Sequence, residues 1–266
     1  MCVIFFALDA HPRYSLIVAA NRDESHGRPA VPAAFWPDHP HVHGGRDLRH
    51  GGTWLAIARD GRFAAVTNYR QGRRNGEAPR SRGALTRDYL VGTQGVGEYI
   101  EGLVATQSEY HGYSLILGTA ERLYFCSNRG EGVYPISPGV HGLSNRLLDE
   151  PWPKVLRGVA RITTLLDADE GELERSLFEL LADRTPAPDH MLPSTGIEHD
   201  RERSLSPAFI AAEHYGTRAS TVVLVGRDGN VLFCEKSFGP NGQPAGSMAH
   251  RFALTKTAGA AQPTRA

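Results

Sequence analysis

The sequence has no apolar run approaching the roughly 20 residues that a membrane-spanning helix requires. The stretch "VIFFAL" near the start is too short for the apolar core of a secretory signal. No basic segment precedes it, and the polar "DAHPRY" follows at once. Cysteine is scarce. Cys2, Cys126 and Cys234 cannot all pair, and no C-x-x-C spacing is present, which argues against a disulfide framework and against a zinc site. A net charge is lacking too: 29 Lys plus Arg face 29 Asp plus Glu, so no global field draws the chain to nucleic acid or an anionic membrane. No G-x-G-x-x-G or P-loop pattern follows a strand, which leaves nucleotide binding unsupported. The expectation is a soluble, cytoplasmic protein whose partner is a small molecule, with no transmembrane segment and no nucleic acid.

Glycine and proline are plentiful and long helical patterns few, so the chain reads as strand-rich and punctuated by turns. "CVIFFAL" and "YSLIVAAN" are two strands joined by a short turn. "TWLAIA" and "RFAAVTNY" flank Asp60-Gly61, and "STVVLVG" and "VLFCEKS" flank Asp228-Gly229, both strong hairpin signals. Further strands are read in "YSLILGT", "RLYFCSN", "VYPIS" and "HGLSN". Helical spacing is present at about 81–91 and 94–107, then at 153–166 and 170–182. The stretch Pro29–Pro40 reads as irregular, and 184–204 as a loop. Strand blocks alternating with helix pairs, mostly through short hairpins, predict an α+β layered domain of antiparallel sheets with helices outside. One domain is expected over 1–240. Residues 241–266, rich in Gly, Ala, Pro, Thr and Lys, are expected to form a poorly ordered tail.

The chemistry concentrates near the start. Cys2 follows Met1 directly, so removal of Met1 gives one residue both a thiol and a free α-amine. The amine, with a pKa of about 7.7–8.0, is basic enough to take the thiol proton near neutrality, an arrangement suited to acyl transfer without histidine. The second strand ends in Asn21, Arg22, Asp23 and Glu24, and a hairpin of the first two strands brings Asp23 toward Cys2. Asn68 and Asn145, each ending a strand, are candidate donors to an oxyanion; turn formation accounts for either equally. Arg218 opens the last hairpin as an anion clamp or a solvated charge. Trp54, beside Gly51 and Gly52, is a candidate pocket wall, although tight turns alone explain those glycines. His39, His41 and His43 share a face if extended, but nothing nearby completes a metal site, and none is expected. Arg70, Arg73, Arg74, Arg80 and Arg82 read as a solvated basic loop, or as a site for a carboxylate or phosphate. Cys126 and Cys234 sit in apolar strands as inert core thiols.

Taken in order, "MC", "NRDE", "GGRDL…GGTWLA", "VTN" and "GLSN…WPK" resemble the NRDE family, the Transport and Golgi organisation 2 homologues, from residue 1 to about 237. That family is similar in turn to the N-terminal nucleophile hydrolases of the choloylglycine hydrolase and penicillin V acylase group. The resemblance implies a four-layer αββα sandwich and hydrolysis of an amide bond in a small molecule. It implies Cys2 as nucleophile, Asp23 at the nucleophile's amine, Asn145 and Asn68 at the oxyanion hole, and Arg218 as the late active-site arginine. Arg22, Asn21 and Trp54 are the expected substrate contacts. Where the hydrolases carry an arginine three residues before the aspartate, this chain has Ala20. Arg22 stands nearby, but it and Asp23 are adjacent on a strand and face opposite sides unless a bulge intervenes. The eukaryotic branch implies a second use of the fold, as a carrier or chaperone for a hydrophobic ligand, haem or lipid. No resident cofactor is expected.

Overall fold

Alternate residues of the first strand, β1 (Cys2–Leu8), enter two different cores, which is why the whole run is apolar. Ile4, Phe6 and Leu8 point to one side and Val3, Phe5 and Ala7 to the other. A strand covered on both faces needs a layer on each, and a computed structural model of residues 2–72, 76, 78–130 and 132–255 supplies them.

After β1 the strands run β2 (Tyr14–Ser25), β3 (Ala30–Phe35), β4 (Val42–Asp47), β5 (Leu55–Ala58) and β6 (Arg62–Asn68). Helices α1 (Gly83–Val91) and α2 (Val96–Thr106) follow, then β7 (Tyr113–Thr119), β8 (Arg122–Ser127), β9 (Val133–Pro135) and β10 (Gly139–Leu143). Helices α3 (Pro153–Thr163), α4 (Glu170–Leu181) and α5 (His199–Ser204) lead to β11 (Tyr215–Gly226), β12 (Asn230–Phe238) and β13 (Pro244–Ala253). They form a six-stranded sheet in the order β10-β1-β2-β11-β12-β13 and a seven-stranded sheet running β3 to β9 in sequence. Every pairing within them is antiparallel.

The cores define the layers. Ile4, Phe6 and Val18 of the first sheet meet Leu55, Phe63 and Ile116 of the second. On the outer face of the first sheet, Val3, Phe5 and Ile17 pack against Ile162, Leu173 and Leu177 of α3 and α4. On the outer face of the second, Ala56, Ala64 and Leu115 pack against Leu85 and Leu90 of α1 and Leu103 of α2. The result is a four-layer αββα sandwich, as expected.

The expected helices and hairpins lie within a few residues of their observed spans. Four stretches differ, among them Val42–Asp47, which form β4 where no strand was expected. Within Pro29–Pro40, Ala30–Phe35 form β3 rather than irregular chain; it sits at a sheet edge and its register shifts between Val31 and Ala34, the kind of place where Pro32 costs no ladder bond. Within 184–204, His199–Ser204 form α5. From 241 onward the chain continues as β13, paired with β12 along Asn230–Phe238, while 256–266 lie outside the described residues. Among the described residues no helix is long and apolar enough to cross a membrane.

The glycines after β3 serve close approach more than turning. A Cβ on Gly44 would stand 2.5 Å from that of Ala56, and one on Gly52 2.5 Å from the backbone of Gly83; only Gly51 of this group has positive φ, at 67°.

The candidate active site

Register places the thiol. Cys2 pairs across the ladder with Arg22, and Val3 with Asn21, so alternation puts Cys2 and Arg22 on the face between the sheets and Asn21 and Asp23 on the helix face. The inter-sheet core ends at this level and opens into a cavity of about 590 Å³. Cys2, Arg22, Asp23, Trp54, Asn68 and Arg218 all border it. Six of the eight expected site residues therefore meet in one place.

The other two stand behind the wall. Asn21 is fully buried on the helix side, its amide donating to the carbonyls of Leu181 and Ala208, both at 2.8 Å, while its oxygen accepts from Ser220. It ties β2 to the last residue of α4 and to the chain after α5, and does not border the cavity. Asn145 is also fully buried. Its amide donates to the Asn68 carbonyl at 3.0 Å and its oxygen accepts from Arg70 at 3.3 Å. It braces Asn68 and is not itself a cavity wall.

Arg22 and Asp23 diverge as regular strand geometry requires. The guanidinium of Arg22 reaches Asp47 at 3.5 Å, where Arg28 also binds, so the cavity carries a fixed Arg–Asp–Arg cluster. Asp23 accepts from the hydroxyl of Thr217 at 2.7 Å, and its backbone carbonyl accepts from Tyr215. A bulge is present, but on the neighbouring strand: the register of β11 shifts between Thr217 and Ala219. Arg218, the extra residue, donates to the carbonyls of Ser25 and Arg28 and pins the turn after β2.

Cys2 is 8 % exposed. Burial and the charge of Asp23 push the pKa of its thiol up, while the backbone N–H of Asp23 and the charge of Arg22 act in the opposite direction. Burial likewise raises the pKa of Asp23, against Lys154, Thr217 and Arg70, which favour its anion. The Cys2 carbonyl accepts from Ser144 at 3.4 Å, and Thr67 binds the Ser144 carbonyl at 2.6 Å, so the start of β1 is held from both sheets.

Sequence reasoning missed the polar layer beneath Asp23. Lys154, the last residue of "WPK", is buried in the first turn of α3 and donates to the carbonyls of Leu205 and Pro207. Arg70, expected among solvated arginines, is instead buried. It pairs with Glu202 of α5, stacks over Trp152 with 4.8 Å to the ring centroid, and its backbone N–H donates to the Asn145 carbonyl at 2.7 Å. Arg80 and Arg82 bind Glu109, Asp88 and the Gly112 carbonyl; Arg73 and Arg74 lie outside the described residues. Of the three histidines only His43 lies on β4, because the chain turns at 37–41; among the described residues no group of three or more His, Cys, Asp or Glu gathers to hold a metal.

Comparisons with known proteins agree with this architecture. Penicillin V acylase from Agrobacterium tumefaciens superposes with a TM-score of 0.51 at 13% identity, covering 96% of this chain and 87% of that one. A mutant of the conjugated bile acid hydrolase from Clostridium perfringens gives 0.50 at 10% identity, covering 97% and 94%. These likenesses show the fold, that of the N-terminal nucleophile hydrolases. The nearer kinship lies in sequence: the Transport and Golgi organization protein 2 homolog of Bos taurus is 38% identical over 258 residues, 89% of this chain and 93% of the relative. With the family profile matching residues 1–240 as well, the chain belongs to the Transport and Golgi organisation 2 family.

Proposed function

We propose that the protein is an N-terminal cysteine hydrolase that cleaves an amide bond of a small molecule, in a mature form from which Met1 has been removed. The observation that carries this reading is the position of Cys2: a strand-start thiol at a cavity bordered by Asp23, Asn68, Arg22 and Arg218. Both solved relatives in fold are named for hydrolysis or acyl release, penicillin V in one and conjugated bile acids in the other, which supports an amide as the scissile group.

The steps follow from the residues. The α-amine of Cys2 takes the thiol proton, and Sγ attacks the amide carbonyl carbon. Asn68 donates to the resulting oxyanion. Collapse breaks the C–N bond, and the departing nitrogen takes the proton from the α-ammonium. Water, deprotonated by the same amine, then hydrolyses the thioester, releasing the acid and restoring the thiol. Asp23, ionised, holds the ammonium through the cycle.

A thiol-directed acylating probe applied to protein of verified N-terminus is expected to label Cys2 and nothing else, and Cys2→Ala to abolish the labelling. Labelling that persists in the mutant, or a mass showing Met1 wholly retained in active protein, overturns the reading. The apolar strip of Val31, Pro32, Trp54, Val66 and Phe238 along the same cavity favours a second use, carriage of haem or a lipid without turnover. Saturable binding of either without any acyl adduct is the signature of that use.

A further inference from the structure

Four ionisable groups are packed under the start of β1 on the helix side, each at most 6 % exposed: Asp23, Arg70, Lys154 and Glu202. Arg70 and Glu202 bind each other, and Glu202 also takes the backbone N–H and hydroxyl of Thr195. The ammonium of Lys154 is fixed by the carbonyls of Leu205 and Pro207, at 2.9 and 3.3 Å. A buried ammonium carries a desolvation penalty of several kcal/mol unless nearby charge compensates it. The groups that act on it are Asp23 from β2, Cys2 from β1, Arg70 from the segment after β6 and Glu202 from α5. Tyr215 of β11 donates its hydroxyl to the Asp23 carbonyl.

We propose that Lys154 is a positioning residue for the Cys2 site, its buried charge keeping Asp23 anionic and easing loss of a proton from the thiol and α-ammonium of Cys2. This rests on the nucleophile reading above. Lys154 and Arg70 offset Asp23 and Glu202, so the α-ammonium exposed by removal of Met1 leaves one surplus positive charge. Loss of one proton from the thiol–ammonium pair cancels it. Without Lys154 the site is balanced while still fully protonated, and the nucleophile forms less readily. Without the Glu202 charge the surplus grows, and it forms more readily. Burial already lowers the pKa of Lys154 to about 8, so its charge is present at neutral pH and declines above it.

The test is the pH dependence of carbamidomethylation at Cys2, read by peptide mass on protein with Cys2 at the N-terminus. Lys154→Gln, which keeps a donor for the two carbonyls, is expected to slow the reaction about tenfold at about pH 7, where Lys154 is charged, and so to raise the apparent midpoint. Glu202→Gln is expected to lower the midpoint. A folded Lys154→Gln protein with the wild-type midpoint overturns the proposal, as does a shift of both variants in the same direction. Should Lys154→Gln fail to fold, Glu202→Gln decides alone: a lowered midpoint supports the proposal and an unchanged or raised one overturns it. A wild-type Cys2 inert at every pH overturns the nucleophile reading itself, and this inference with it.

Discussion

The two asparagines at strand ends separate a side chain that borders the cavity from one that supports it. Asn68 is half-buried and borders the cavity, whereas Asn145 spends its amide on the Asn68 carbonyl and its oxygen on Arg70. Asn68→Ala is therefore expected to leave the unfolding midpoint within about 0.5 kcal/mol of wild type while slowing acylation of Cys2 by about 100-fold or more. Asn145→Ala leaves a buried carbonyl and a buried guanidinium short of partners, so a stability loss of about 1–3 kcal/mol accompanies its loss of rate. Denaturant unfolding and single-turnover labelling of the two variants separate these roles. Equal stability losses in both would contradict the assignment. Arg70 and Lys154 could not be found in this way from sequence: Arg70 meets its carboxylate 132 residues further on, and a basic residue in a loop or a first helical turn ordinarily reads as solvated.

Among the elements, α3 fixes the floor of the site by lying on β1. Its Gly158 admits the ring of Phe5 so closely that a Cβ there would stand 2.1 Å from the ring edge. Gly158→Ala is expected to cost about 1–3 kcal/mol through overpacking, and Phe5→Leu to relieve part of it, giving a double mutant more stable than the sum of the singles. Strictly additive losses in urea unfolding would contradict this contact. The strands around the site were readable because they are buried on both faces or turned by Asp-Gly, as in β1, β11 and β12. β3 and β4 were not, since Pro32 and the paired glycines imitate loop composition while serving an edge and a close approach. The placement of Asn21 failed for a related reason: one residue of register decides which side of a sheet a side chain occupies, and only the pairing Val3–Asn21 reveals it.

At the scale of the whole molecule, the two sheets are tied by a histidine pair between β4, next to one edge strand, and β13, the edge strand of the other sheet. His43 of β4 is fully buried among Phe35, Phe233 and Phe252, and its Nε2 lies 2.7 Å from Nδ1 of His250 on β13. Burial lowers the pKa of His43 to about 3, below the unfolded value of about 6.5. The neutral form is the one the fold accepts. Its contribution is complete above about pH 6.5 and is lost as pH falls toward about 3, where the folded state must protonate it. His43→Phe is expected to narrow the drop in melting temperature between about pH 7.5 and about pH 5; an unchanged drop would assign the acid sensitivity elsewhere. The layered fold and the family were legible in the ordered motifs, and the cavity is where those motifs converge. Whether it turns over an amide rests on Cys2. The decisive measurement is intact-mass and peptide analysis of the chain, with Cys2 verified as its first residue, quenched during reaction with a panel of N-acyl amides. The account predicts a transient thioester of the acyl group on Cys2, absent in Cys2→Ala. No adduct from any member of the panel, or an adduct on another residue, would contradict it.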